Sequence, residues 1–138
     1  MTKDDTSSRY ARGAAKMAEV YAGTAALPPE GAMAFTDVMI RSLFAEVWTR
    51  EVLSIRDRRL LVMGVIAAQG ADDVWAVQSA AALANGELTP EELRETLILL
   101  APYAGYPRVS SLIGATEKAI HKWEKAQTEA SAQASPEP

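Results

Sequence analysis

The chain has 138 residues, of which 49% are hydrophobic, with a net charge of −4 and no cysteine. This length suits a single domain with a sizeable core, and the abundance of alanine and leucine favours helices over strands. The negative charge argues against a nucleic-acid partner, which would need clustered lysine and arginine. The lack of cysteine excludes disulfides, thiolate nucleophiles, iron–sulfur clusters and cysteine-based zinc sites.

Three helices are predicted in the N-terminal half. Residues 1–8 are polar and expected to be flexible, and a helical pattern begins at Arg9. A second helix is predicted over about residues 29–48, since a proline pair suits its start. Its expected inner face consists of Met33, Val38, Met39, Leu43, Phe44 and Val47. A third helix is predicted over about residues 56–70.

The third predicted helix is apolar nearly all round, with no charged residue from Leu60 to Ala68. A small domain cannot easily bury every side of such a helix, which predicts a homo-oligomer with this helix at the subunit interface. Gly64 within it either lets a neighbouring helix approach closely or is simply tolerated. The apolar run is too short to span a membrane and no secretory signal is visible, so a cytoplasmic protein without a membrane partner is expected.

Residues 71–105 predict two further helices joined by a tight corner. Asp72 is the expected N-cap of the first helix, and Gly86 lies where a helix end needs a residue that tolerates positive φ. Thr89 to Glu92 combine a capping threonine, a proline at the first helical position and a Thr-x-x-Glu capping box. The second helix then carries a stripe of leucines and ends at Gly105.

A last helix is predicted over about residues 107–125, followed by small, polar residues that predict a disordered tail at 126–138. Residues 9–125 therefore form the expected folded part. The predicted fold class is all-α, a single domain of about six helices.

The run AALANGELTPEELRETLILLAPYAGYP resembles the carboxymuconolactone decarboxylase family, in which a RAAL-NG-TPEE-RE-L-H-A-YAG-P pattern recurs. The likeness extends to LFAEVWTREVLSIRDRRLLVMGVIAAQG and to SRYARGAAKMAEVY, and so covers roughly residues 8–120. It implies this helical fold, assembly into trimers or hexamers, and a small-molecule substrate. Decarboxylation in the family needs no cofactor when the electrons flow into a conjugated carbonyl.

Gln78 stands where related decarboxylases have a histidine thought to act on a proton of the substrate. A glutamine cannot exchange a proton near neutral pH, but it can hydrogen-bond a substrate carboxylate or carbonyl. The alternative is a polar residue satisfied by neighbouring backbone or by solvent. Related alkylhydroperoxidase D-like proteins carry a Cys-x-x-Cys pair where this chain has Ala71 and Val74, so thiol peroxidase chemistry is not expected.

Two charged residues also lie in segments that resemble the family. Glu46, in LFAEVWTR, is a candidate catalytic acid or base, or else a surface carboxylate paired with Arg41 or Arg50. Arg58, in SIRDRRL, is a candidate for binding a substrate carboxylate. The alternative for Arg58 is capping of the helix start together with an intersubunit salt bridge.

Trp75 and Tyr103 flank the corner and are candidates for lining a pocket, in which the phenol of Tyr103 would polarise a carbonyl. Aromatic residues at helical spacing are more often part of the core. His121 is the single histidine and is expected near the surface. With one histidine and no cysteine, no transition-metal site built by this chain alone is expected. The family resemblance implies that no cofactor is needed.

These residues together predict a cofactor-free, decarboxylase-like lyase that acts on a small carboxylated or lactone metabolite. Glu46, Gln78 and Tyr103 are the predicted catalytic residues, and Arg58 and Trp75 the predicted substrate-binding residues. One alternative is a diverged family member that catalyses an isomerisation, cyclisation or elimination in a catabolic or secondary-metabolic pathway. Another is a non-catalytic binding or assembly protein.

Overall fold

Every regular element is helical in the computed structural model, which describes residues 2–135. In chain order the helices are α1 (Lys3–Val20), α2 (Ala34–Met39), α3 (Ile55–Gln69), α4 (Asp72–Ala84), α5 (Pro90–Ala104), α6 (Tyr106–Ser110) and α7 (Leu112–Ala134). Helix α2 continues directly into a π-helical segment, Ile40–Val47. With α2 and this segment counted as one helix and the five-residue α6 set apart, six helices remain. The predicted all-α domain of about six helices is confirmed.

Both ends of the chain are more helical than predicted. Helix α1 begins at Lys3, within the segment expected to be flexible, because the Thr2 side chain accepts a hydrogen bond from the Asp5 N–H at 3.3 Å. Helix α7 continues to Ala134, well into the predicted tail. Its last turns are rich in alanine, glutamate and glutamine, which are good helix formers without a core to bury. Residue 1 and residues 136–138 of the predicted ends lie outside the described residues.

Contacts between helices divide the described residues into two compact units, one up to Arg58 and one from Arg59 onward. In the first unit, α1 packs against the π-helical segment, and Phe44 stacks on Trp48 with 6.4 Å between the ring centroids. In the second unit, the residues that α3 to α7 bury include Met63, Ile66, Trp75, Leu83, Leu93, Leu112 and Ile120. This second core contains the predicted corner and holds it in place.

The second predicted helix presents a different face to the core than expected. It begins at Ala34, and Val38 and Val47 of the predicted inner face are 65% and 47% exposed. The buried positions are instead Thr36, Asp37, Ile40, Phe44, Ala45 and Trp48. These positions recur at spacings of three and four residues and so form one face of the helix, turned away from the predicted face. The predicted inner face was therefore wrong at Met33, Val38, Leu43 and Val47, whereas Phe44 is buried and Met39 half-buried.

The corner between α4 and α5 has the predicted geometry. Gly86 has φ of +67°, and it allows the chain to reverse after α4. The Thr89 hydroxyl oxygen accepts a hydrogen bond from the Glu92 N–H at 3.1 Å, and the Glu92 carboxylate accepts one from the Thr89 N–H at 3.0 Å. This reciprocal pair is the predicted capping box, and it fixes the start of α5.

Two helix boundaries in the second unit differ from the prediction. Ala71, not Asp72, is the N-cap residue of α4, because Asp72 already has helical geometry. The Asp72 carboxylate accepts a hydrogen bond from the neighbouring Asp73 N–H at 3.0 Å instead. The last predicted helix is divided at Ser111 into α6 and α7.

Helix α3 leaves apolar side chains uncovered within one chain. Leu61 and Val65 are 63% and 60% exposed, as expected of a helix at a subunit interface. A Cβ at Gly64 would meet nothing closer than the Leu100 side chain at 3.8 Å, so close packing within the described residues does not require this glycine. None of the helices in the part of the chain described is both long and apolar enough to cross a membrane.

The homo-oligomer stays a prediction, which the exposed residues of α3 support. Light scattering at micromolar protein is expected to give a multiple of the 14.8 kDa chain mass. Leu61→Lys should reduce that mass, because a charged side chain would replace an apolar one in the interface. A wild-type mass near 14.8 kDa would contradict the prediction.

Candidate functional site

Three polar side chains form a buried cluster in the second unit, and we call them the Arg59 cluster: Arg59 of α3, Gln78 of α4 and Glu87 of the turn after α4. The Arg59 guanidinium donates from Nη1 to the Gln78 side-chain oxygen at 2.6 Å. It also donates from Nη2 to the Glu87 carboxylate at 3.1 Å and from Nε to both Glu87 oxygens at 3.3 Å. Arg59 is 0% and Gln78 3% exposed, so the cluster is withdrawn from water.

Local sequence explains how the Arg59 cluster is assembled. Arg59 lies on the same stripe of α3 as the buried residues Met63 and Ile66, at helical spacings of four and seven. Gln78 lies in the middle of α4, one turn after the buried Trp75. The positive φ of Gly86 ends α4 and lets the next residue, Glu87, reach Arg59.

The charges in the Arg59 cluster balance, and its hydrogen bonds are strong. A buried guanidinium needs a counter-charge, which the Glu87 carboxylate supplies through a bidentate contact. Because the Gln78 oxygen accepts from Arg59, the carboxamide is held in one orientation. Its nitrogen can only donate hydrogen bonds. Gln78 is therefore a neutral donor with a fixed orientation, and it has no proton to exchange near neutral pH.

The model of the carboxymuconolactone decarboxylase family matches residues 33–118, which is more than half of the chain. The chain belongs to this family. The match includes the corner and all three residues of the Arg59 cluster. A comparison with curated proteins found no match.

Within this family member, the arginine that contacts Gln78 is Arg59 and not its neighbour Arg58, whose predicted role in substrate binding stays a prediction. The Arg58 guanidinium donates to the backbone carbonyls of Leu53 at 3.2 Å and Arg50 at 2.9 Å. These two hydrogen bonds hold the segment that precedes α3. They agree with the first part of the alternative given for Arg58, a role at the start of the helix. Arg59 was missed because the two arginines are neighbours in sequence. The sequence holds no signal that separates them, because the residues four and seven positions later are apolar after Arg58 (Val62 and Val65) as well as after Arg59 (Met63 and Ile66).

The two predicted aromatic residues lie in contrasting places. Trp75 is fully buried, and its indole N–H donates to the Thr116 hydroxyl at 2.8 Å, so its polar atom is used inside the core. Tyr103 is 86% exposed on α5, so its side chain is open to solvent in one chain. Trp75 therefore connects α4 to α7, and a role for Tyr103 would need a second subunit or a bound ligand to cover it.

Glu46 lies on the π-helical segment of the first unit, where its carboxylate pairs with Arg9 at 3.0 Å. The pair is partly exposed, with 51% of the Glu46 side chain open to solvent. The partner differs from the two arginines expected, and Arg41 pairs with Glu30 instead. The predicted catalytic role of Glu46 stays a prediction. Its position on a π-helical segment supports it, because such segments are frequent at functional sites.

A second polar cluster holds the chain that precedes α2. The Gly31 N–H donates to both oxygens of the buried Asp37 carboxylate, at 3.2 and 3.0 Å. The Tyr10 hydroxyl donates to the Pro28 carbonyl at 3.1 Å, and Arg41 lies over the Tyr10 ring. Burial, reinforced by the negative charges of Asp37 and Glu30, raises the pKa of Tyr10 above its ordinary value. Because Tyr10 remains a neutral donor, this cluster stabilises the first unit.

The described residues contain no group of three or more histidine, aspartate or glutamate side chains placed to hold a metal ion. His121 is exposed on α7.

Proposed function

We propose that this protein is a cofactor-free enzyme that acts on a small carboxylated or lactone metabolite, with Gln78 as a hydrogen-bond donor to the substrate. The observation that carries this proposal is the 2.6 Å hydrogen bond from Arg59 to the Gln78 oxygen. It fixes the carboxamide and polarises it, which strengthens the N–H groups on its other end as donors. A preorganised donor of this kind stabilises charge that develops on a substrate oxygen.

Decarboxylation of a substrate with a conjugated carbonyl suits such a donor. The bond from carbon to the carboxylate breaks, carbon dioxide leaves, and the electron pair moves to the carbonyl oxygen as an enolate. Gln78 would donate to that oxygen, and a proton from water would then complete the product. An isomerisation or elimination through the same enolate places the same demand on the enzyme. The reaction proposed is thus one that needs a donor at this position and no titrating group.

A non-catalytic binding or assembly protein is the second candidate, and the burial of the Arg59 cluster favours it. Gln78 is 3% exposed in one chain, so a substrate must displace a neighbouring side chain to reach it. Arg58 and Trp75 use their polar groups within the chain, which leaves them fewer donors for a substrate. Under this reading the Arg59 cluster only joins α3 to the corner.

Gln78→Ala decides between the two candidates. Loss of the donor is expected to lower kcat/KM on 4-carboxymuconolactone, or on a related carboxylated lactone that the wild type converts, by roughly five- to hundredfold or more. Gln78→His should introduce a group that titrates near pH 6.5 into the pH profile, which the wild type should lack at this position. Val77→Ala, the neighbouring and partly exposed residue of α4, is the matched control.

Two results would contradict the proposed enzyme. One is unchanged turnover by a Gln78→Ala variant that urea unfolding shows to be folded. The other is a wild type that converts none of a panel of carboxylated lactones and related conjugated carboxylates. Either result would favour the binding or assembly protein.

A further inference from the structure

Gln78 has four neighbours one helical turn away on α4, and only one of them reaches solvent. Residues three and four positions apart lie side by side on a helix. Trp75, Ala81 and Ala82 are each 0% exposed. Val74, four residues before Gln78, is 42% exposed. On its own helix, the buried carboxamide is therefore closest to water at Val74.

The direction of helical side chains also brings Gln78 toward Val74. Side chains on an α-helix lean toward its N-terminus and cover the preceding turn. The Gln78 side chain therefore extends over the turn that begins at Val74, with about 5–6 Å between the Cβ atoms of the two residues. The three residues from Asp72 to Val74 are all exposed, so this end of α4 is open to solvent.

The other neighbours of Gln78 are held in place by polar contacts. The indole N–H of Trp75 donates a hydrogen bond to α7 at 2.8 Å, which fixes the ring. Arg59 is 0% exposed and the Glu87 side chain 8% exposed, and the two form a buried ion pair that is costly to break. Val74 has no polar side-chain atom, so a ligand that presses against it breaks no contact of this kind.

We propose that Val74 is the entry residue past which a substrate reaches Gln78, and that the size of its side chain limits what can enter. The assignment rests on the proposed role of Gln78 as the group that the substrate contacts. Valine is branched at Cβ and keeps one strongly preferred rotamer in a helix, so the width of the entry depends on volume more than on side-chain rotation. A substrate that passes it presents an apolar edge to Val74 and a carbonyl oxygen to Gln78.

Alkylation of a single thiol tests the entry without any need for turnover. The chain has no cysteine, so Gln78→Cys places the only thiol at the position that a substrate must reach. The rate of its reaction with N-ethylmaleimide under native conditions, followed by mass spectrometry, measures access. Val74→Ala should raise this rate about tenfold, because it removes two methyl groups from the entry. Val74→Phe should lower the rate by a similar factor.

Val77→Ala and Val77→Phe are the matched controls. Val77 is as exposed as Val74, at 41%, but it lies about 100° round the helix from Gln78 and not one turn above it. Both substitutions should leave the alkylation rate of Gln78→Cys unchanged. Equal effects of the Val74 and Val77 variants would overturn the proposal.

Ser79→Cys separates opening of the entry from unfolding of the whole unit. Ser79 is 0% exposed and lies about 100° round α4 from Gln78, so a thiol there reacts only when the unit unfolds. In this background the Val74 variants should change the rate only as far as they change the free energy of unfolding. If Gln78→Cys does not fold, the same comparison is made with Arg59→Met/Glu87→Met added, since no charge is then left unpaired.

Turnover distinguishes this proposal from the proposed enzyme. Alkylation that depends on position 74, in a protein that converts no carboxylated lactone, would support the entry and contradict the enzyme. Loss of turnover in Gln78→Ala, together with alkylation that ignores position 74, would overturn the entry and support the enzyme.

Discussion

Arg59→Met is expected to lower the free energy of unfolding by about 3–5 kcal/mol, because it leaves the Glu87 carboxylate buried without its counter-charge. Methionine fills most of the volume of the arginine stem, so the loss reports the ion pair and not a large cavity. Urea denaturation followed by circular dichroism measures it, with the slope of the transition showing whether the folded state is otherwise unchanged.

Arg58→Met is the matched control, since the same substitution one residue earlier removes only hydrogen bonds to two backbone carbonyls. It should cost less than about 1 kcal/mol. The double variant Arg59→Met/Glu87→Met should recover most of the loss, because replacing both members of a buried pair by apolar residues is often neutral. A loss below about 1 kcal/mol in Arg59→Met would show that the Arg59 cluster does not stabilise the fold.

Gly13→Ala is expected to destabilise the protein by about 1–3 kcal/mol or more through overpacking. A Cβ at Gly13 would lie 2.1 Å from the Ile40 carbonyl oxygen, where α1 meets the first residue of the π-helical segment. The obstructing atom belongs to the backbone and cannot rotate away, so α1 must move. Thermal or urea unfolding measures the cost.

Gly114→Ala is the control for this prediction, and its effect should have the opposite sign. Gly114 lies in α7, and a Cβ there would meet nothing within 4 Å. The substitution should stabilise the protein by about 0.5–1 kcal/mol, since alanine loses less backbone entropy than glycine in a helix. Equal effects of Gly13→Ala and Gly114→Ala would contradict the prediction. They would mean that the close approach of α1 to Ile40 is not the reason for glycine at position 13.

The features that sequence predicted well are those fixed by neighbouring residues. The capping box joins Thr89 and Glu92, three residues apart, so its pattern is visible in any sequence. Gly86 and Gly105 mark helix ends through their backbone freedom, and both have positive φ. These local signals, together with the family resemblance, were enough to predict the all-α fold.

The features that sequence missed depend on contacts between distant residues. Arg59 and Glu87 are 28 positions apart, and their pairing exists only once α3 and the corner are packed together. Arg58 and Arg59 have the same chemistry, so only the orientation of α3 distinguishes the residue beside Gln78 from the one beside Leu53. The π-helical segment was missed for a related reason, since its widened turns follow from packing and not from residue preference.

The last turns of α7 should open locally while the rest of the second unit stays folded. All residues from Glu124 to Ser135 are exposed, so the last turns of α7 bury nothing after the half-buried Trp123. Opening these turns costs only the helix hydrogen bonds and leaves the core intact. Their amide protons should therefore exchange with solvent almost as fast as those of an unfolded peptide, while the amides around Ile120 exchange only when the unit itself unfolds. A protease would cut first in the same turns, and the remaining chain would keep its corner and its Arg59 cluster.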